Sequence, residues 1–350
     1  MRYIQTDILH VDKNNRILRE TNEIKEAALW IRNGEVVAFP TETVYGLGGN
    51  AFSNEAIEKI YQAKGRPSDN PLIVHIACKE QLRDFVCEVP KLAEQLMNAF
   101  WPGPLTLVLP GNGKLAAKVT ANLSTVAVRM PDHPVALALI EAAGVPVAAP
   151  SANLSGKPSP TTAAHVEKDL TGRIRAIVDG GKTGVGVEST VVDCTGESAM
   201  ILRPGGVTKE ALEAVVGKVD TDPALSEENV TPKSPGVKYT HYAPKAPLYL
   251  VEGSVEQIQQ LIEDKKRDGL KVGVLTTVEQ IASYDADLVV ACGSRERLET
   301  VASELYGSLR RFDEEQLDIL FAETFVNEGL GIAIMNRLEK ASGGKRLVIA

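Results

Sequence analysis

Cysteine is scarce in this chain of 350 residues: there are four, Cys78, Cys87, Cys194 and Cys292, and no two form a C-x-x-C pair. That scatter argues against a zinc site and against a disulfide framework. Each thiol is expected to act as a small buried apolar side chain. Long hydrophobic runs are missing too, since none approaches the ~18 apolar residues of a membrane span. The stretch from Met1 to His10 lacks the basic-then-apolar order of a secretory leader, so a cytosolic protein is expected. Positive charge is in deficit, with a net charge of −8. An acidic balance argues against a surface that binds nucleic acid everywhere, while leaving room for a local basic pocket. Neither an internal repeat nor a low-complexity tract occurs.

What is present is ordinary for a soluble globular chain: 44% apolar and 24% charged residues. At roughly 150 residues per domain, the length suggests about two domains. Through the first two hundred residues, helical and strand periods alternate. Ile24, Ala27, Ala28 and Ile31 form a helical stripe that stops at Gly34. Ala56, Ile57, Ile60 and Ala63 form another, with Ser53 or Asn54 as its N-cap. Short apolar runs, Val36–Phe39, Leu72–Ile76, Leu105–Leu109, Val126–Val128, Val145–Ala149, Ile174–Val178, Thr190–Val192 and Met200–Leu202, read as strands. Their mixture predicts an α/β sheet. Lys218 to Lys233 is polar and acidic and reads as an exposed linker. From Leu248 a second set of strands alternates with helices, one carrying Leu298, Val301, Ala302, Leu305, Leu309 and Phe312 on one face. This predicts a smaller C-terminal Rossmann-like α/β domain. The expected boundaries are 1–216, a linker at 217–247, and 248–350.

The most informative stretch is Pro40-Thr41-Glu42-Thr43-Val44-Tyr45-Gly46-Leu47-Gly48, directly after the apolar run Val36–Phe39. Ligands of open α/β sheets collect at the carboxyl ends of strands. A turn rich in hydroxyls and glycine there suits a small polar substrate. Lys64-Gly65-Arg66 closes a helix, and its cations either complement the helix dipole or clamp phosphate. Asn70 and His75 bracket the next strand, where His75 is either a core histidine or a site residue. Thr125 opens a strand in which Arg129 lies among apolar neighbours. Buried alone, that guanidinium would cost several kcal/mol, so it needs an anionic partner from the protein or from a substrate. Ser151, Asn153, Ser155, Lys157 and Ser159 follow a strand end in a loop able to bind phosphate or ribose, or merely to connect. Gly181-Lys182-Thr183 imitates a P-loop, but Ala176 stands where the first glycine belongs and a strand follows in place of a helix. Ser189 enters that strand and Arg203 closes a later one. Lys64, Arg66, Arg129, Lys157 and Arg203 together suggest a polyanion pocket within an acidic protein.

The motifs in order resemble the YrdC-type family, in its longer two-domain form that makes threonylcarbamoyl-adenylate. They are PTETVYGLG at Pro40, KGRPSDNPLIVH at Lys64, WPGPLT at Trp101, TVAVRMP at Thr125, APSAN at Ala149, SPT at Ser159, GVEST at Gly186 and LRPG at Leu202. SPGVKYTHYAP at Ser234 and GIAIMNRLEKAS near the C-terminus extend the likeness over nearly the whole chain. The resemblance implies an N-terminal twisted mixed sheet with helices. It implies condensation of L-threonine, bicarbonate or CO2, and ATP, with Mg²⁺ accompanying ATP. The product would pass to a separate transferase acting on tRNA, with tRNA binding by this chain weak or indirect. By that similarity Thr43, His75, Arg129 and Ser189 would surround threonine. Lys64, Arg66, Asn70, Thr125, Ser151, Asn153, Ser159, Arg203 and Tyr242 would face ATP, Lys64 and Arg66 doing catalytic work. Tyr45 would line the shared cavity, and His241 and Tyr242 would belong to a lid. Two rival readings are an RNA-binding module, which the acidity opposes, and a carbamoyltransferase of hydrogenase maturation, which would need cysteine pairs that this chain lacks.

Overall fold

The structure, a computed structural model, describes residues 5–67, 70–225 and 242–349. Contacts divide it into two units. The first holds Met1–Ser155, Pro160–Gly184 and Glu188–Lys238, and the second holds Gly156–Ser159, Val185–Val187 and Tyr239–Ala350.

The first unit is built on a sheet of eleven strands. In chain order these are β1 (Asp7–His10), β2 (Val37–Phe39), β3 (Gly46–Asn50), β4 (Ile73–His75), β5 (Leu105–Pro110), β6 (Thr125–Arg129), β7 (Val147–Ala148), β8 (Ala176–Asp179), β9 (Thr190–Asp193), β10 (Ala199–Arg203) and β11 (Val219–Thr221). Their spatial order is β1-β8-β2-β3-β7-β4-β6-β5-β9-β10-β11, with parallel and antiparallel pairs mixed. The expected helices form. Thr21 caps Asn22–Arg32 by accepting from Ile24 N, and Ser53 caps Asn54–Lys64 by accepting from Ala56 N at 3.2 Å. Gly65 ends the second helix in the left-handed conformation, φ +61°.

Alternation along the strands sorts the side chains. Val36 and Ala38 join one core cluster with Val74, Val126, Val128, Leu105, Leu107, Leu109 and Val192. Val37 and Phe39 join another with Val147, Ala149, Ala176 and Val178, beneath helices Asn22–Arg32 and Pro134–Ala143. On β4, β6 and β5, the residues that alternate with the first cluster are His75, Thr125, Arg129 and Thr106 together with Ile73, Ala127, Val108 and Pro110. That face of the sheet centre mixes polar groups with apolar ones.

Two differences from the sequence reading stand out. Gly46–Asn50, read as a glycine-punctuated turn, is strand β3, antiparallel to β2. Its glycines are there for close approach: a Cβ on Gly48 would lie 2.7 Å from both Phe39 and Val147. The stretch from Lys218, read as exposed linker, opens with Val219–Thr221 as edge strand β11, parallel to β10. Residues 226–241 lie outside the described residues, and the expected lid residue His241 is among them.

The second unit carries a five-stranded parallel sheet of β12 (Leu248–Glu252), β13 (Val272–Thr276), β14 (Leu288–Ala291), β15 (Ile319–Glu323) and β16 (Arg346–Val348). Their order is β14-β13-β15-β12-β16. Helices Val255–Arg267, Leu298–Phe312 and Leu330–Ser342 connect them. Five members of the expected stripe, Val301, Ala302, Leu305, Leu309 and Phe312, are buried. A parallel sheet with helical crossovers is the Rossmann-like architecture expected here.

Candidate functional site

Strand register builds the centre of the site. His75 on β4 pairs directly with Arg129 on β6, and one step beyond the Leu107–Val128 pair places Thr106 of β5 on Arg129's other side. Neighbouring strands lie about 4.8 Å apart, so the three side chains form one cross-strand row on one face. Thr106 Oγ1 lies 2.7 Å from Ser189 Oγ, which brings the start of β9 to the same row.

Arg129 is 3% exposed. Its Nη1 donates to Thr43 Oγ1 at 2.8 Å and its Nε to the Gly103 carbonyl at 3.3 Å. Its Nη2 lies 2.5 Å from Glu42 Oε2, the anionic partner that a buried guanidinium requires. The turn that presents Thr43 and Glu42 is tied by Thr41, whose Oγ1 donates to the Val44 carbonyl at 2.7 Å and accepts from the Thr43 amide.

Two histidines flank this pair. His75 is buried, with Nδ1–H donating to the Ile73 carbonyl at 3.2 Å. Burial first, and the Arg129 charge second, push its pKa down to about 3. His133 is buried at the start of helix Pro134–Ala143, and neither ring nitrogen has a hydrogen-bond partner among the described residues. Burial pushes its pKa down to about 4. Both rings are therefore neutral when folded and take protons near pH 6.5 when unfolded. The unfolded state binds more protons in that window, so stability falls as pH drops from about 6.5 toward 4. A urea series across that range is expected to show the loss, and His133→Phe is expected to flatten part of it. An unchanged slope in the variant would remove His133 as a contributor.

A second cluster lies alongside. Arg203 is buried, donating through Nε and Nη2 to the Ser189 carbonyl at 3.2 and 2.9 Å, and through Nη2 to Ser189 Oγ at 3.2 Å. A third joins Lys64 to the loop after β7. Its ammonium donates to the carbonyls of Ser151 and Asn153, the latter at 2.7 Å. Ser151 Oγ and Asn153 Oδ1 lie 2.5 Å apart, and the Ala152 amide donates to the Tyr45 carbonyl at 2.8 Å. Lys64 thus fixes the loop that carries Ser151 and Asn153. Arg66 follows Gly65 and is half-buried. Asn70 is buried, and its carbonyl accepts from Tyr61 OH at 2.8 Å.

Not every expected residue joins the Arg129 row. Thr125 shares its face but stands four residues away, about 13 Å along β6, at the end near Asn70. Tyr45, expected to line a cavity, is wholly buried in the core, its hydroxyl donating to the Gly181 carbonyl at 2.7 Å. Burial raises its pKa, so it stays a neutral anchor. Ser159 and Lys157 belong by contact to the second unit, and Ser159 is fully buried. Tyr242 lies in that unit too, its ring 5.0 Å from the ring of Tyr306. Thr41, Glu42, Thr106 and His133 were not singled out from sequence. The first two stood inside a recognised motif. The other two are placed by register and helix packing, which no local pattern reports.

A family model described as Telomere recombination, covering Sua5, YciO and YrdC proteins, matches residues 30–205. A second, described as Threonylcarbamoyl-AMP synthase, C-terminal domain, matches residues 207–343. The Bacillus subtilis threonylcarbamoyl-AMP synthase is 58% identical over 96% of this chain and 97% of its own length. The chain belongs to the two-domain threonylcarbamoyl-AMP synthase family. The Schizosaccharomyces pombe member of that family is 40% identical over 91% of this chain and 88% of its own. A crystal structure of Pyrococcus abyssi Sua5 complexed with L-threonine superposes with a TM-score of 0.92 at 48% identity, covering 99% of this chain and 100% of that one. Family membership joins both units in one enzyme, so the Arg129 row is one part of a synthase.

Proposed function

We propose that this chain is a threonylcarbamoyl-AMP synthase, condensing L-threonine, bicarbonate or CO2, and ATP into threonylcarbamoyl-AMP and pyrophosphate. The observation that carries the reading is the near full-length match, 58% identical over 96% of the chain, to a curated synthase. The site supplies what the chemistry asks for. The threonine amine forms a C–N bond to carbon dioxide and releases a proton. The resulting carbamate oxygen attacks the α-phosphorus, and pyrophosphate leaves. The nucleophile belongs to the substrate, so the protein's task is to align reactants and neutralise charge.

In this reading Arg129 receives the threonine carboxylate, with Thr43, His75 and Ser189 around it. Asn70 and Thr125 at the other end of β4 and β6 face ATP, together with Arg66, Arg203 and the Ser151–Asn153 loop. Lys64 and Arg66 are assigned catalytic and ATP-facing roles on family likeness, Lys64 also holding that loop. Ser159 and Tyr242 are assigned to ATP, and Tyr45 and His241 to the cavity wall and lid, on family likeness. Mg²⁺ would arrive on the phosphates of ATP. Among the described residues no group of three His, Cys, Asp or Glu could form a cage for it. That donor set fits an ion ligated mainly by phosphate oxygens. No helix among the described residues is long and apolar enough to cross a membrane. Action in the cytoplasm, with the product handed to a separate tRNA-modifying transferase, completes the proposal.

Purified protein with Mg²⁺ is expected to release pyrophosphate from ATP only when threonine and bicarbonate are both present. Mass spectrometry is expected to identify the adenylate. Release indifferent to threonine would end the proposal. Arg66→Ala removes one charge-assisted contact, worth about 1.5–3 kcal/mol, and is expected to weaken ATP dependence roughly ten- to a hundredfold.

A further inference from the structure

Besides its apolar stripe, helix Leu298–Phe312 buries Tyr306 and Arg310, which continue a line from Ala302 at four-residue intervals. That spacing sets the three one above another on one face, over about 12 Å of helix axis. Three other segments of the second unit meet this line in turn. Gly186 rests on the first position. Its φ is +80°, and a Cβ there would lie 2.4 Å from both the Ala302 carbonyl oxygen and Ser303 Cα, so only glycine fits. Tyr242 packs on the second, its ring 5.0 Å from that of Tyr306. Its φ of +66° is strained for a tyrosine, a conformation kept only where the surroundings impose it. Pro158 meets the third, its carbonyl accepting from Arg310 Nη2 at 2.5 Å.

The Pro158 contact matters most, because of the residue beside it. Lys157-Pro158-Ser159-Pro160 contains two prolines, so the segment has few amides with which to bond itself. Its carbonyls at alternate residues are each taken by a different donor. Gly156 accepts from the Ala243 amide at 3.0 Å, Pro158 from Arg310, and Pro160 from the Tyr45 amide at 2.8 Å. Ser159, wholly buried, is thus held between two fixed carbonyls. We infer that Arg310 is a positioning residue for ATP, fixing the Pro158 carbonyl and through it the placement of Ser159. This rests on the functional reading above, in which Ser159 faces ATP. It gives the C-terminal chain a part in the reaction, since Arg310 supplies the hold while Ser159 makes the contact.

A double-mutant cycle on the full chain tests this, with ATP and threonine affinities read by calorimetry and melting temperature followed alongside. Arg310→Met keeps a buried stem and removes the donor. It is expected to weaken ATP binding at least about tenfold, the value of one charge-assisted hydrogen bond, and to leave threonine binding unchanged. Arg310→Lys keeps an ammonium donor and is expected to restore most of the ATP affinity. Ser159→Ala is expected to weaken ATP binding by itself. In that background Arg310→Met is expected to weaken it no further, because the two residues act in series. Additive losses would show that Arg310 does not act through Ser159 and would overturn the inference. Wild-type ATP affinity in Arg310→Met or in Ser159→Ala would do the same, as would equal losses for ATP and threonine. Failure of both Arg310 variants to fold would assign the residue to the fold and overturn it too. Any of these results alongside threonine-dependent adenylate synthesis by wild type would leave the functional reading standing. A wild-type chain that binds no ATP would sink both.

Discussion

Arg129→Ala is expected to lose both stability and threonine dependence, and Arg129→Lys to separate the two. The alanine variant leaves Glu42 as a buried charge with no counter-ion, in a site where Glu42 is 9% exposed. Removing one partner of a buried pair costs about 3–5 kcal/mol. It also removes the donors on Thr43 Oγ1 and the Gly103 carbonyl. Urea denaturation should show that loss. Lysine restores the charge, so much of the stability should return. It lacks the planar fork that reaches several acceptors at once, so threonine binding should stay impaired by about tenfold or more. Wild-type affinity for threonine in Arg129→Lys would show that the guanidinium geometry is not used.

Gly205→Ala is expected to be as damaging although it changes no charge. A Cβ at that position would stand 2.3 Å from the Glu188 carbonyl oxygen and 2.4 Å from both the Ser189 carbonyl carbon and the Thr190 nitrogen. All three are backbone atoms, which cannot rotate away as a side chain does. Overpacking ordinarily costs about 1–3 kcal/mol, and backbone displacement puts this case at or above the top of that range. Function should suffer beyond stability, because the displaced segment carries Ser189, held by Arg203 and touching Thr106. A variant with wild-type melting and wild-type turnover would show that the β9–β10 region yields more easily than its packing implies.

Much of the architecture was legible because its strands are short apolar runs and its helices carry buried stripes with ordinary caps. Thr21, Ser53 and Gly65 announce helix ends in a way that local chemistry alone decides. The glycines of β3 defeated that reading. Gly46, Gly48 and Gly49 look like a turn, and only spatial neighbours explain them, most sharply Phe39 and Val147 against Gly48. β1 escaped notice for the opposite reason, since Asp7–His10 alternates half-buried with exposed residues and its two apolar residues, Ile8 and Leu9, are too short a run to mark a strand. The site was half legible. Arg129 declared its need for an anion from sequence, but the anion proved to be Glu42, about ninety residues earlier in the chain. Thr106 and His75 became its neighbours through strand register, a long-range property. Lys64, expected to face ATP, also donates to the carbonyls of Ser151 and Asn153, a contact set by where the loop after β7 folds and invisible to local pattern.

The small strand β1 has a practical consequence. Among the described residues it pairs only with β8, at the rim of the eleven-stranded sheet, and is secured there by Thr6 Oγ1 on the Ile174 carbonyl and by the Asp7–Arg175 ion pair. Clipping the chain after residue 10 would uncover a row of amides and carbonyls along Ala176–Asp179, backed by buried Ile177 and Val178. Such an open border invites another molecule to add its own strand. Proteolysis or an ill-placed fusion at that end should therefore announce itself as self-association and poor recovery well before any change in chemistry.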